Sequence, residues 1–204
     1  MQEIKHDIIE DPGKFSLIAL PCTAYQKKTG EVPVPKEGLL SRLVEKYPNL
    51  PMDIGSTVEK YGNCPSIMKT IADMKTPTKF CTFPVSPTSL RVQNPDNYVF
   101  RRLIGRFKKP YSLLPGWTLV PRSDMVEFSA IKLAEIMRFY KLSNVAIPFE
   151  LFTFDREDKD DYTRIKNIIC KYIKEGLYLV SRPSESTQGT IISNIARSTV
   201  TFEE

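Results

Sequence analysis

The stretch from 123 to 181 most constrains the fold, because it holds two short, almost wholly apolar strand patterns at 144–148 and 177–180. Strands covered on both faces have this composition and are usually parallel. An amphipathic helix pattern precedes the first strand, and a second helix pattern separates the two. Helix, strand, loop, helix and strand in this order predict a right-handed βαβ unit.

The two helices of this stretch are predicted from apolar residues at helical spacing. In the first helix, Ser123 or Asp124 is the expected N-cap, and Glu127 has the spacing of a capping box. In the second, Gly176 is expected to end the helix. The predicted buried positions are Val126, Ala130, Leu133, Met137 and Tyr140 in the first helix and Ile165, Ile168, Ile169, Tyr172 and Ile173 in the second.

The rest of the chain continues the alternation of strands and helices. Strands are predicted at 3–9, 15–20 and 79–83, a helix at 36–47, and a loop-like segment at 48–65. The expected fold is a three-layer α/β/α domain with a mixed, largely parallel sheet. We expect one domain over 1–182 with an insertion at about 86–121, followed by a Ser/Thr-rich tail at 183–204.

Composition excludes several classes of protein. No run of about 18 apolar residues is present, and the N-terminus has no signal-peptide pattern, so we expect a soluble, cytoplasmic protein without a membrane partner. The four cysteines form no C-x-x-C pair and His6 is the single histidine, which argues against a metal site or a Ser-His-Asp triad. We therefore expect no metal and no cofactor. The net charge of +5 permits an anionic partner without requiring nucleic acid.

The order of these pieces resembles the macrodomain family, whose members bind ADP-ribose and in some cases hydrolyse its linkages. Four stretches carry the resemblance: 5–9 with its turn and the strand 16–21, the strand 79–84 ending in Phe-Pro, the helix from 123 into the strand 145–148, and the loop after that strand. The resemblance covers roughly 4–182 and rests on order and spacing. It implies a macrodomain-like fold and binding of ADP-ribose or a related nucleotide.

The resemblance also implies site residues. The family's acidic residue that accepts a hydrogen bond from the adenine amino group matches Asp7, and Ile8 lies beside it. The ligand is expected in a cleft between the loop 22–30 and the loop 149–155. The expected contacts of these loops are Cys22, Thr23, Gly30, Phe149 and Leu151, with Phe152 or Phe154 as an aromatic platform for the distal ribose. The alternatives are a solvated Asp7 and phenylalanines that pack in the core.

Departures from the family bear on catalysis. Members with hydrolytic activity usually carry an Asn-rich segment and then a glycine-rich loop, whereas here 21–30 has no asparagine and one glycine. The loop 149–155 has no glycine, so fewer backbone amides can approach a pyrophosphate closely. We therefore expect binding without catalysis and name no catalytic residue. A hydrolase that uses a non-standard carboxylate stays an alternative, and Cys22 is expected to be structural, although its place at a strand's carboxyl end also suits a nucleophile.

A basic and aromatic segment at 98–111 provides a different hypothesis. Basic side chains attract phosphate and aromatic rings stack on bases, so a nucleic acid or a protein is the alternative partner. The predicted contacts there are Arg101, Arg102, Arg106 and Lys108. The simpler interpretation is a solvated amphipathic helix with Val99, Leu103 and Phe107 turned inward.

Overall fold

The structure is a computed structural model. It describes residues 1–22, 30–32, 34, 38–62, 64–68, 78–86, 121–152 and 160–181. The statements below concern these residues.

Five parallel strands form one sheet in the order β1-β5-β4-β2-β3. The strands are β1 Gln2–Lys5, β2 Leu17–Cys22, β3 Lys79–Pro84, β4 Val145–Pro148 and β5 Leu177–Ser181. Antiparallel pairing in the described part of the chain is confined to one bridge, between Ile67 and Cys81. The predicted largely parallel sheet is confirmed, although β1 is shorter than predicted and ends at Lys5.

Helices cover both faces of the sheet, which confirms the predicted three layers. The helices are α1 Leu39–Lys46, α2 Leu50–Tyr61, α3 Ser123–Phe139 and α4 Asp160–Tyr172. The residues of α1 and α2 share one core cluster with one face of the sheet, and those of α3 and α4 share a second cluster with the other face.

Strand β2, which lies between β4 and β3, contributes to both clusters. Leu17 and Ala19 face α3 and α4, whereas Ile18 and Leu20 face α1 and α2, and all four are 0% exposed. Side chains alternate between the faces of a strand, so a strand between two layers must be apolar throughout. Burying each of the larger side chains stabilises the fold by roughly 1.5–3 kcal/mol.

The buried faces of α3 and α4 follow the predicted spacing closely. Val126, Ala130 and Leu133 are fully buried, and so are Ile165 and Ile169. The predicted face was wrong at its end, because Tyr140 follows the last residue of α3 and is 50% exposed.

The predicted capping box at the start of α3 was also wrong. The N-cap is Arg122, and no side chain caps the helix. Asp124 instead accepts hydrogen bonds from the Arg122 guanidinium at 3.0 and 2.7 Å. Glu127 accepts hydrogen bonds from Tyr172 and Lys171 of α4, so it ties the two helices together.

The loop predicted at 48–65 was wrong, because most of it forms α2. The prolines suggested a loop, but Pro51 lies in the first turn of the helix, where proline is tolerated because its missing N–H would have no partner within the helix. Leu50, Ile54 and Val58 recur every four residues and are buried. Packing of this stripe stabilises the helix.

The predicted domain boundaries stay predictions. Most of the insertion, residues 87–120, and the tail after Ser181 lie outside the described residues.

Gly176 lies at the tight entry into β5 and provides a stability test. Its φ is +67°, and a Cβ there would lie 2.2 Å from the carbonyl oxygen of Ser143. We expect Gly176→Ala to lower the free energy of unfolding by about 2–3 kcal/mol in chemical denaturation. Gly13→Ala is the control, since its Cβ would meet only Asp11 Oδ1 at 3.7 Å. Equal stability of the two variants would contradict this placement of Gly176.

Candidate functional site

The connections of the sheet place a crevice between β2 and β4. From β2 the chain continues to β3 on one side, and from β4 it continues to β5 on the other. In open parallel sheets, ligands bind at such a switch point, outside the carboxyl ends of the strands. The paired register of β2 and β4 covers only Leu17 with Val145 and Ile18 with Ala146. Pro21 and Pro148, nearer the carboxyl ends, have no backbone N–H to extend the pairing.

A short 3-10 helix, Phe149–Leu151, follows β4 at this edge. Phe149 packs with the cluster under α3 and α4, whereas Leu151 packs against the cluster under α1 and α2. The 3-10 helix therefore crosses the end of the sheet from one layer to the other. The 3-10 helix begins directly after the apolar strand, because Pro148 is the last residue of β4 and Phe149 is the first residue of the helix.

Phe149 and Phe152 are almost fully buried, at 5% and 3% exposure. Their ring centroids are 4.9 Å apart, and Phe152 also contacts Phe83 of β3 edge-on at 6.2 Å. Phe149 contacts Tyr162 of α4 at 4.5 Å. These rings form an apolar floor beneath the edge, which agrees with the core-packing alternative for Phe152. Contact of either ring with a ligand stays a prediction.

Cys22 ends β2, and its carbonyl oxygen accepts a hydrogen bond from the N–H of Val85 at 3.1 Å. Burial raises the pKa of the Cys22 thiol to about 12, although the backbone of Phe83 lowers it slightly. The thiol is therefore protonated at neutral pH, and a nucleophile needs the thiolate. The environment favours the structural interpretation of this cysteine.

The loop that leaves β2 returns to the core at Val32. Val32 is buried, and its N–H donates to the carbonyl oxygen of Pro51 in α2 at 3.1 Å. Gly30 precedes it with a φ of +92°, a conformation that glycine adopts without strain.

Asp7 follows β1 and begins a tight turn, which the N–H of Asp11 closes by donating to the Asp7 carbonyl oxygen at 3.2 Å. Its Oδ1 accepts the N–H of Ile9 at 2.9 Å, and its Oδ2 accepts a hydrogen bond from Arg42 of α1 at 2.8 Å. Burial alone raises the pKa of Asp7, but the hydrogen bonds from Arg42 and from Ile9 outweigh that effect and lower the pKa below its usual 3.8. The Ile8 side chain is buried under the turn. Asp7 is thus an ionised and partnered acceptor, not a freely solvated residue.

Arg42 was not among the residues predicted for the site. A second basic residue one helical turn later, Lys46, donates to the carbonyl oxygen of Ile9. Their spacing on a predicted helix puts them on one face, but no sequence signal joins that face to Asp7. Glu10 and Glu150 lie close enough to Arg42 to raise its pKa further, after the hydrogen bond from Arg42 to Asp7, which is the main cause.

The structure brings Asp7, Cys22, Phe149 and Leu151 to one edge of the sheet, since each ends a parallel strand or closely follows one. Gly30 lies farther along the connection after β2, and its place relative to this edge stays a prediction. Other predicted contacts lie outside the described residues: Thr23, Phe154, Arg101, Arg102, Arg106 and Lys108. The predicted nucleic-acid or protein surface therefore stays untested.

The described residues contain neither a metal-binding cluster nor a membrane-spanning helix. Within them, no three His, Cys, Asp or Glu side chains are grouped so that they could hold a metal ion. No helix in the same part of the chain has the length and apolar character to cross a bilayer.

The Cys22 thiol provides a chemical test of its environment. At pH 8 a pKa of about 12 leaves a thiolate fraction about a thousandfold below that of an ordinary cysteine. We expect iodoacetamide to alkylate Cys22 slower than a free thiol by about that factor, measured by peptide mass spectrometry. Urea-unfolded protein is the control and should lose the protection. Rapid alkylation of folded Cys22 would restore the nucleophile hypothesis.

Asp7 provides a test of stability against pH. Its pKa is lowered in the folded state, so its contribution is present above the unfolded value of about 3.8 and is lost as the pH falls through the folded value. We expect Asp7→Asn to lower the free energy of unfolding by about 1 kcal/mol at pH 7, with the difference shrinking below about pH 4.

Glu135→Gln is the matched control for Asp7→Asn, because it removes one carboxylate from an exposed ion pair with Lys132. Its effect should stay within a few tenths of a kcal/mol. A difference for Asp7→Asn that does not change with pH would show that the carboxylate charge does not stabilise the turn.

Comparison with solved structures finds similar folds. The macrodomain of Thermus aquaticus DarG aligns with a TM-score of 0.53 and 11% identity over 90% of this chain and 97% of that one. The macrodomain of Mycobacterium tuberculosis DarG aligns with a TM-score of 0.54 and 11% identity over 90% and 99%. Thermosipho africanus DarTG in complex with ADP-ribose aligns with a TM-score of 0.54 and 12% identity over 92% of this chain and 42% of that chain.

The amino-acid sequence gives no such match. No model of a protein family matches the chain. No curated protein matches it either. The structure therefore confirms the predicted resemblance. The chain has a parallel sheet between two helical layers, and it aligns with two macrodomains over nine-tenths of its own length. The chain has the macrodomain fold.

Proposed function

We propose that this protein binds ADP-ribose, or a related adenine nucleotide, at the carboxyl edge of the sheet. The adenine lies at Asp7, whose carboxylate accepts a hydrogen bond from the exocyclic amino group. The pyrophosphate lies toward the switch point between β2 and β4, and the connection after β2 and the 3-10 helix Phe149–Leu151 line the cleft there. The proposed contacts are Asp7, Ile8, Cys22, Thr23, Gly30, Phe149, Leu151, Phe152 and Phe154.

The observation that carries the proposal is the position of Asp7 relative to the switch point. β1 lies two strands from β4 in the sheet, a separation of about 10 Å at the usual strand spacing. An elongated ligand with a base at one end and phosphates in the middle matches that separation. Asp7 and Leu151 both lie on the α1 side of the sheet, so such a ligand stays on one face of the edge.

The comparison adds support from a neighbour of the same fold. The Thermosipho africanus DarTG structure holds ADP-ribose.

Binding without catalysis fits the composition of the edge. A hydrolase needs a positioned base or nucleophile. Burial keeps the Cys22 thiol protonated, and Asp7 is already engaged by Arg42 and by the N–H of Ile9. Its lowered pKa keeps Asp7 ionised, so that the carboxylate can accept a hydrogen bond, and makes it a poor general base.

Calorimetric titration tests the proposal. We expect ADP-ribose to bind with a micromolar dissociation constant, about −8 kcal/mol, and AMP and ribose 5-phosphate to bind more weakly. Inosine diphosphate ribose should bind at least about tenfold more weakly, because it presents an oxygen where adenine presents the amino donor to Asp7. Asp7→Asn should remove most of this preference for adenine.

Glu135→Gln is the control for that titration, and it should bind as the unaltered protein does. Equal affinity for the adenine and inosine ligands would refute the role of Asp7. No heat from ADP-ribose at millimolar concentration would refute nucleotide binding at this edge.

A further inference from the structure

Helix α1 holds the turn after β1 at two points. Arg42 donates to Asp7 Oδ2 at 2.8 Å, and Lys46, on the same face, donates to the carbonyl oxygen of Ile9. Leu39 and Leu43 of α1 are buried against the sheet, so the helix that carries both cations is fixed in place. The turn is therefore fastened to a rigid element as well as to β1.

The contacts of Asp7 still leave it able to accept another hydrogen bond. An ionised carboxylate offers about four lone-pair positions over its two oxygens. Ile9 occupies a position on Oδ1, Arg42 occupies one on Oδ2, and the backbone of Glu10 also hydrogen-bonds the carboxylate, so part of its acceptor capacity stays open. The side chain is 23% exposed, so part of the carboxylate faces solvent.

Several other charged residues belong to the segments around Asp7 and Arg42. His6, Glu10 and Asp11 belong to the same segment, and Glu150 follows β4. Glu10 and Glu150 lie close enough to Arg42 to raise its pKa. Without the guanidinium, Asp7 would be a partly buried carboxylate without its hydrogen-bonded cation, and burial favours the protonated form.

We propose that Arg42 is a positioning residue for nucleotide recognition, which holds Asp7 ionised and oriented so that its open lone pairs face the adenine amino group. This inference rests on the proposed function. Arg42 acts through Asp7 and does not contact the ligand. The site thereby selects an amino-bearing purine through a pair of residues that lie 35 positions apart in the chain.

Two competing roles for Arg42 make different predictions. As a latch, it would occupy Asp7 and would have to leave before the ligand enters, so its removal would strengthen binding. As a phosphate ligand, it would contribute independently of Asp7. The remaining acceptor positions and the exposure of Asp7 favour the positioning role over the latch. The hydrogen bond to Asp7 favours it over a phosphate contact, because it holds the guanidinium beside the proposed base position.

Three variants of the full chain separate these roles in calorimetric titrations with ADP-ribose. Arg42→Met keeps much of the apolar stem and should weaken binding about tenfold at pH 7. Arg42→Lys keeps the charge and should recover part of the loss. Arg138→Met is the matched control, because this arginine of α3 is exposed and donates only to Ala134 of its own helix among the described residues; it should leave the affinity unchanged.

A double variant tests whether Arg42 acts through Asp7. If it does, Asp7→Asn with Arg42→Met binds no more weakly than Asp7→Asn alone, because the acceptor that Arg42 positions is already gone. A loss equal to the product of the two single effects would overturn the proposal and identify a direct ligand contact. Tighter binding by Arg42→Met would overturn it in favour of the latch.

The pH dependence provides a readout that a purely structural role would not change. The affinity of the unaltered protein should stay level from about pH 8 to about pH 5, because the pKa of Asp7 is lowered. In Arg42→Met the pKa of Asp7 should rise to its ordinary value or above, and the affinity should fall as the solution approaches that pH. An unchanged pH profile in Arg42→Met would count against the proposal.

A ligand-free measurement separates failure of this inference from failure of the proposed function. The carboxyl ¹³C resonance of Asp7, followed against pH by NMR, should titrate at a higher pH in Arg42→Met than in the unaltered protein or in Arg138→Met. The same titration midpoint in all three would overturn the inference whatever the ligand. A shifted midpoint in a protein that does not bind ADP-ribose would support the effect of Arg42 on Asp7 and overturn nucleotide recognition by the pair.

Discussion

The contact between Ser16 and Asn144 holds the two central strands in register, and the geometry of the carboxyl edge depends on that register. The N–H of Ser16 donates to Asn144 Oδ1 at 2.7 Å, Ser16 Oγ donates to the Asn144 carbonyl oxygen at 2.6 Å, and Asn144 Nδ2 donates to the Lys14 carbonyl oxygen at 2.9 Å. The ladder between β2 and β4 covers only two positions. This short ladder aligns the two strands only weakly, because Pro21 and Pro148 near their carboxyl ends have no N–H to extend it. The side-chain hydrogen bonds at the amino end therefore supply much of the alignment.

The opposite end of the sheet combines an apolar floor with charged groups above it. Phe149 and Phe152 pack into the core, and this packing fixes where the chain turns after β4. On the α1 side of the same edge, Asp7 is held by Arg42 from the neighbouring layer. A carboxylate held by a cation is both ionised and oriented, which suits recognition of an amino group better than proton transfer. The proposed nucleotide site therefore combines rigid packing beneath the edge with a fixed charge above it.

Patterns that depend on burial were predictable from the sequence. β2, β4 and β5 had to be apolar on both faces, and the stripes of α3 and α4 had to face the sheet, so the three layers could be predicted. Features that depend on local competition were not. Pro51 suggested a loop but begins a helix, and Asp124 and Glu127 have the spacing of a capping box but bond to Arg122, Tyr172 and Lys171 instead. Pro51 and Asp124 adopt a local alternative that the same residues also allow, whereas Glu127 is drawn into a tertiary contact with α4.

The sequence by itself determined the layer architecture, because hydrophobic periodicity and chain order do not depend on distant residues. The strand was predicted to run through Asp7 to residue 9, and only the structure ends β1 at Lys5 and places it at the edge of the sheet. Only the tertiary structure decided what surrounds Asp7. Arg42 lies 35 positions away on another layer, and its guanidinium reaches the carboxylate only after α1 has packed against the sheet. Strand order likewise became visible only in the fold, since the crossover from β3 back to β4 creates the switch point. Packing of the whole core decides which distant segments come into contact, so these contacts cannot be predicted from a local pattern in one sequence.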